Sequence, residues 1–181
     1  MSDIKKSKFL SLVLRHEPEL LGLTLDEAGW VSVDLLLRAC AARGRHISRQ
    51  DLERIVATND KKRFALSDDG RRIRANQGHS VEVKLGLEPQ PPPEHLFHGT
   101  ASRFIEAIRA EGLQKQARHH VHLSADIAIA SAVGQRHGKS VILTVLAGEM
   151  HRQGHAFYRS ENGVWLADSV PIEFLQFPPT G

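Results

Sequence analysis

Residues 87–94 read Leu-Glu-Pro-Gln-Pro-Pro-Pro-Glu, and four prolines within five positions constrain this chain more than any other stretch. Proline fixes φ and has no backbone N–H, so such a run cannot enter a helix interior or a central strand and favours an extended, semi-rigid spacer. Composition changes across it. Residues 1–85 hold 16 Lys/Arg against 12 Asp/Glu and only three of the eleven histidines, whereas the remainder holds 8 against 9 and the other eight histidines. The expectation is therefore two small lobes, 1–86 and 95–181, joined by a proline-rich linker at 87–94. A chain of 181 residues accommodates two lobes of that size.

A content of 41% hydrophobic and 25% charged residues excludes wholesale disorder and a fibrous repeat. The lone cysteine, Cys40, excludes an internal disulfide framework and any metal site built from several thiolates, and it fits a reducing compartment. No apolar run approaches the roughly 20 residues that span a bilayer. The start, MSDIKKSKFL, lacks the apolar core and cleavage site of a signal peptide. These features predict a soluble, cytoplasmic chain without a membrane partner.

The first lobe reads mostly helical. Phe9, Leu10, Val13 and Leu14 form an apolar stripe that stops before Pro18. Ser32 is placed to cap a second helix through Leu35–Ala39, and Ser48 with Asp51 resembles a capping box for a third carrying Leu52, Ile55 and Val56. Residues 63–67 and 71–74 flank Asp68-Asp69-Gly70, a hairpin signal. Three helices and a basic hairpin suggest a winged-helix-like module. The second lobe alternates short strands with helices. Strand candidates are 94–98, 120–123, 140–146, 156–159, 163–166 and 172–175; helices are expected from Thr100 or Ser102 through Ile108, and over 125–133 with Ser124 as cap. The fold class expected is α+β.

Several segments offer chemistry, each with a plainer alternative. Residues 42–74 carry ten Lys/Arg and five Asp/Glu, a patch that attracts phosphates or merely solvates a surface. Arg15-His16 follows the first helix. Arginine matches phosphate oxygens bidentately and histidine shuttles protons near neutral pH, but both also satisfy a helix C-terminus. Arg74, opening Arg-Ala-Asn-Gln-Gly-His-Ser, poses the same choice. In Arg118-His119-His120-Val121-His122, strand alternation puts His120 and His122 on one face, yet zinc-like ligand spacing and HExxH are absent, so no metal site is expected. His98-Gly99-Thr100 ends a strand at a glycine that admits close approach to the backbone, or simply a turn. The signatures GxGxxG and GxxxxGK[ST] are missing.

Taken in order, Leu10-Ser-Leu-Val-Leu-Arg-His-Glu-Pro18, Gly29-Trp30-Val31, Ile73–Ser80, Leu96–Thr100, Arg118–Ser124 and Asn162–Leu166 followed by Val170-Pro171 span nearly the whole chain. In this order and spacing the chain resembles the NAD-dependent RNA 2′-phosphotransferases, which remove a splicing-derived 2′-phosphate from tRNA. The resemblance implies a winged-helix RNA lobe followed by an ADP-ribosyltransferase-like lobe. It also implies NAD consumed as a co-substrate, no metal, and a tRNA-like RNA bearing a 2′-phosphate as partner. The small size suggests a monomer.

By that resemblance the phosphate-handling set is Arg15, His16, Arg74 and Arg118, meeting at the cleft between lobes, with His16 the candidate for proton exchange. The NAD set is His98, Gly99, Thr100, His122, Leu123 and Ser124, the Gly99 backbone holding the nicotinamide amide. Arg136 is expected at the pyrophosphate, and Val170 where many ADP-ribosyltransferases place a glutamate. Two other readings share parts of the pattern. A one-step ADP-ribosyltransferase would need only the second lobe's motifs. A non-enzymatic NAD-sensing winged-helix regulator would have no reason to hold Arg15, His16 and Arg118.

Overall fold

The computed structural model describes residues 2–59 and 61–179. It is mixed α and β, with small antiparallel sheets. The backbone divides into two compact units, Met1–Gly86 and Leu87–Gly181, each with its own apolar core.

In the first unit, helix α1 (Asp3–Arg15) turns Leu10, Val13 and Leu14 wholly inward. At 100° per residue those three occupy one stripe, while Ile4, Lys8, Ser11 and Arg15 form another beside it. Strand β1 (Val31–Ser32) leads directly into α2 (Val33–Ala42), where Ser32 Oγ accepts from Leu35 N as expected. Ahead of α3 (Arg49–Ala57) the capping box is present in full, Ser48 Oγ accepting from Asp51 N and Asp51 Oδ2 from Ser48 N. A serine in that position contributes about 1 kcal/mol. The hairpin joins β2 (Phe64–Leu66) to β3 (Arg72–Ala75) through Gly70, whose φ of 66° favours glycine. β3 is central, with β1 on its other side in the register Val31↔Ile73.

The Asp51 carboxylate also ties α1 to α3. Lys6, nearly buried, donates to Asp51 at 2.6 Å, and Arg54 spans Asp51 and Asp3. These contacts hold the Asp51 carboxyl well below the usual carboxylate range, the Lys6 bond first.

In the second unit, β4 (Leu96–Ala101) pairs antiparallel with β7 (Ser140–Val145), and β11 (Leu175–Gln176) flanks β7. A second sheet has the order β6 (Val121–Leu123), β9 (Trp165–Ala167), β8 (Tyr158–Arg159). The bridge Phe97↔Ser124 links β4 to the end of β6, so the two sheets meet edge to edge. A separate pair joins β5 (Leu113–Gln114) and β10 (Ser169–Val170). Helices α4 (Ile105–Glu111), α5 (Ile127–Gly134) and α6 (Ala147–Arg152) complete it.

Of the two expected starts for helical structure, Ser102 is the one observed, with a 3₁₀ turn, and Thr100 lies inside β4. Other readings change. The cap of α5 is Asp126, whose Oδ1 accepts from Ala128 N and Ile129 N; a carboxylate two residues later wins over Ser124, whose hydroxyl is taken by the turn. Residues 172–174 form a 3₁₀ turn before β11, with Pro171 as the extended residue ahead of it. Helix α6, beginning Ala-Gly-Glu, was not foreseen; Gly148 admits Glu94, whose carboxylate is held by Arg152. The proline segment groups with the second unit, where Gln90 N donates to Phe157 O at 2.8 Å and Pro89 bridges Tyr158.

Candidate functional site

In the first unit the site grows from the end of α1. Pro18 prevents the helix from continuing, leaving the carbonyl of Arg15 without an intrahelical donor. The segment after β3 supplies it, Ser80 N and Val81 N donating to Arg15 O at 2.8 and 3.3 Å. Ser80 Oγ and His16 Nδ1 share a further hydrogen bond of 2.9 Å. Arg15, His16 and the Asn76–Ser80 stretch therefore form one cluster, drawn together by the need to satisfy a helix end. Within it His79 is 2% exposed and backs onto Gly29, the glycine of the Gly29-Trp30-Val31 motif.

A cavity of about 450 Å³ opens along the outer stripe of α1 and reaches Arg15. Its walls are Lys8, Ser11 and Arg15 from α1, with Lys61 and Arg63 from the connection into β2. Asn59 anchors that connection, its Nδ2 donating to Ser7 Oγ at 3.3 Å and its Oδ1 accepting from Lys61 N at 3.1 Å and Arg63 Nη1 at 3.4 Å. Lys8, Lys61 and Arg63 were not singled out from the sequence. The signal existed, since Lys8 and Arg15 are seven residues apart on one helical stripe, but nothing in the chain order says that Arg63 joins them. Arg74 lies elsewhere in β3, its guanidinium 4.7 Å from the centre of the Trp30 ring, and it does not line the cavity.

In the second unit β4 is the axis of the site. Phe97 exchanges both main-chain hydrogen bonds with Ser124, at 2.7 and 2.9 Å. Backbone polar groups alternate between edges along an antiparallel strand. His98 and Thr100 therefore face β7, and Gly99 turns its N–H and C=O to the same edge as Phe97, one step past Ser124. Among the described residues nothing pairs with them there. The reason for glycine is also visible, and it is not a turn. Helix α5 lies so close that a Cβ on residue 99 would sit 1.7 Å from Ala130 O.

His98 Nδ1–H donates to the carbonyl of His122 at 3.0 Å, which leaves Nε2 as the acceptor. Burial pushes its pKa below the ordinary 6.5; the His122 carbonyl opposes this and the Arg118 charge adds to it. His98 is thus neutral at neutral pH, and Arg118 is near enough to be felt. Arg118 itself is exposed, in a tight turn where its N–H donates to Lys115 O. His120 and His122 share the face of β6 opposite the buried Val121 and Leu123, as alternation predicts. His120 sits 3.9 Å from Asp168 and packs against Tyr158, and burial lowers its pKa.

The remaining expected NAD residues divide. Thr100 is buried beneath Gly134 of α5. Ser124 bridges Phe97 through its backbone and spends its hydroxyl on Asp126. Leu123 and Val170 are 2% and 0% exposed and belong to the core, so Val170 offers no side-chain surface. Arg136 is exposed in the 3₁₀ turn after α5. Among the described residues there is no group of three or more His, Cys, Asp or Glu side chains that could hold a metal. No helix of the described residues is long and apolar enough to cross a membrane.

Comparison with known proteins gives a consistent result. The family described as RNA 2′-phosphotransferase, Tpt1 / KptA matches residues 1–169. A protein of Burkholderia lata is 58% identical over 171 residues, covering 94% of this chain and 88% of its own. One of Streptomyces griseus is 56% identical over 179 residues, 95% of each chain. A third, from Nostoc punctiforme, is 52% identical over 179 residues, 97% and 99% of the two chains. All three carry the name "Probable RNA 2′-phosphotransferase".

Proposed function

From a chain that belongs to the RNA 2′-phosphotransferase family, Tpt1 / KptA, we propose an enzyme that clears an internal 2′-phosphate from tRNA-like RNA by transferring it to NAD in two steps. The first unit serves as a winged-helix RNA lobe, an assignment supported by its order of α1, β1, α2, α3, β2 and β3. The second serves as an ADP-ribosyltransferase-like lobe that takes NAD.

The observation that carries the NAD assignment is the open edge at Gly99. The nicotinamide carboxamide presents a carbonyl acceptor and an NH2 group, one of whose two N–H donors lies on the same side as the carbonyl. It would therefore repeat, one step along β4, the two-bond exchange that Phe97 makes with Ser124. Gly99 fits the nicotinamide amide on these grounds. His98, held neutral with Nε2 as acceptor, suits a ribose hydroxyl. Contacts from Thr100, His122, Leu123 and Ser124 come through their backbones or buried groups, and Arg136 would meet the pyrophosphate.

In the first step an oxygen of the RNA 2′-phosphate forms a bond to C1″ of the nicotinamide ribose as the C1″–N bond breaks. The electron pair goes to the pyridinium ring, and neutral nicotinamide leaves. The nucleophile is already an anion, so orientation rather than a base governs this step. In the second, the ribose 2″-hydroxyl attacks phosphorus, the bond from phosphorus to the RNA 2′-oxygen breaks, and the hydroxyl proton passes to that oxygen. The products are RNA with a 2′-hydroxyl and ADP-ribose 1″,2″-cyclic phosphate. Fixed cations stabilise the charge that builds on the phosphoryl oxygens. Arg15 and Arg118 take that role with Arg63, which shares the cavity of Arg15, while Arg74, whose guanidinium lies over Trp30 outside that cavity, contributes less. His16, oriented by Ser80, is placed to move the proton of the second step.

The test is incubation with NAD and an RNA carrying one internal 2′-phosphate, without added metal. Loss of the phosphate with appearance of the cyclic phosphate is expected; persistent ADP-ribosylated RNA would favour a one-step transferase, and absence of nicotinamide release would remove both. Arg118→Ala should slow the second step and let the ADP-ribosylated RNA accumulate.

A further inference from the structure

Resting on that reading, we propose that Asn76 is a positioning residue, which aims Arg63 at the phosphate by clamping the backbone of Lys62. The ladder between β2 and β3 ends at the pair Phe64↔Ala75. Asn76 carries it two carbonyls further. Its N–H donates to Arg63 O at 2.9 Å, and its side-chain Nδ2 donates to Lys62 O at 2.6 Å. Lys62 is gripped at its other end as well, its N–H donating to Asn59 O at 2.7 Å. Asn59 Oδ1 in turn accepts from Arg63 Nη1 at 3.4 Å. Arg63 is thus held twice, its backbone by Asn76 and its guanidinium by Asn59.

What the clamp holds is a strained conformation. Lys62 has a φ of 39°, in the left-handed region. A side chain is disfavoured there by roughly five- to thirtyfold. Such outliers persist only where the surroundings over-determine them, and they gather at functional sites. Among the described residues one other non-glycine has a positive φ, Gln116 at 55°, and it stands two positions ahead of Arg118, the arginine that the second unit gives to the phosphate. The side chain of Asn76 also suits this one bond better than it suits stability. Asn76 is 6% exposed, and its Oδ1 is buried with no hydrogen-bond partner among the described residues. An apolar side chain of the same shape would avoid that desolvation. Released from Asn76, Lys62 would fall back to negative φ, and the peptide leading into Arg63 would turn with it. Lys62 is exposed, so water can take its carbonyl, and the loss would be felt in the aim of Arg63 rather than in folding.

The experiment measures single-turnover phosphate removal at saturating NAD and RNA, beside the melting temperature. Wild type is compared with Asn76→Leu, Arg63→Ala, Lys62→Gly, and Asn76→Leu combined with each of the other two. Leucine keeps the shape of asparagine and loses the donor. Asn76→Leu should melt within about 4 °C of wild type and lose about five- to thirtyfold in rate, the factor by which a lysine prefers to leave the left-handed region. Added to Arg63→Ala it should change the rate by less than about twofold, because an arginine that is absent cannot be misaimed. Added to Lys62→Gly it should cost less than in wild type, since glycine keeps a positive φ unaided. The full loss on top of Arg63→Ala would overturn the inference, because Asn76 would then act elsewhere in the protein. An unchanged rate in Asn76→Leu, or a loss undiminished by glycine at position 62, would overturn it too, and each of these would leave the phosphotransferase reading intact. A low melting temperature would not blur the result, since a folding defect adds in full to Arg63→Ala. A wild-type protein that leaves the 2′-phosphate in place would overturn that reading and this inference with it.

Discussion

Replacing Gly99 by alanine adds one methyl group, and the second unit has no room for it. The new Cβ would lie 1.7 Å from Ala130 O and 2.5 Å from Ala130 C, where real contacts stay beyond 3.0 Å. Helix α5 would have to retreat by about 1.3 Å, the difference between 3.0 and 1.7 Å. It is seated there a second time by Gly134, whose own Cβ would come within 2.8 Å of Thr100 O. The obstructing atoms are backbone and cannot rotate away, so the cost belongs near the upper end of the usual overpacking range, about 3 kcal/mol. For a unit of about 95 residues that is a fall in Tm of roughly 12–24 °C. The same retreat would distort the strand edge assigned to the nicotinamide amide, so NAD affinity should fall by more than about tenfold, or 1.4 kcal/mol. Scanning calorimetry of wild type and Gly99→Ala, with titration calorimetry using NAD, reads both effects. A Tm within about 2 °C of wild type, with NAD affinity unchanged, would show that neither the close approach of α5 nor the edge at Gly99 matters as argued.

Two further outcomes follow from the site. Arg63→Ala should lower single-turnover phosphate removal by about 10²- to 10³-fold, as loss of one charge-stabilising donor does elsewhere, and Arg74→Ala by much less; the reverse order would return the phosphate to the Trp30 side of β3. Because burial depresses the pKa of His98, its contribution to stability is fully present above the ordinary value of 6.5 and is lost as pH falls through the lower folded value. Denaturation of wild type and His98→Gln from about pH 7.5 down to about pH 5, a range that brackets the ordinary histidine value, should show the wild type weakening more steeply on the acid side, and parallel curves would refute the assignment. His120 pulls in the same direction in both proteins and does not affect the comparison.

Local order alone determined a good part of this chain. The stripe of Leu10, Val13 and Leu14, the Ser48–Asp51 box and the Asp-Asp-Gly turn each depend on neighbours within a few residues, and each forms as its pattern predicts. Short elements were less legible. Six-residue α6 and two-residue β1, β5 and β10 carry too few residues for a period to emerge, and partner strands decide them.

The motifs around Arg15-His16, His98-Gly99-Thr100 and His122-Leu123-Ser124 were readable as motifs, but the surroundings of each residue were settled by distant partners. Val170 is expected where many ADP-ribosyltransferases place a glutamate, and its burial is decided by β5 and the core, which close over it. Gly99 reads either as a glycine that admits close approach to the backbone or as a turn glycine; it lies inside a strand, and the close approach is made by Ala130, thirty-one positions later in the chain. Arg63 reads as one more cation in a basic hairpin until Asn59 and α1 place it beside Arg15. The sequence by itself determined residue types and helix ends, since those are governed by local sterics and hydrogen bonding. Only the tertiary structure decided which backbone edge stays open and which cations share a wall, since both depend on packing between segments far apart in the chain.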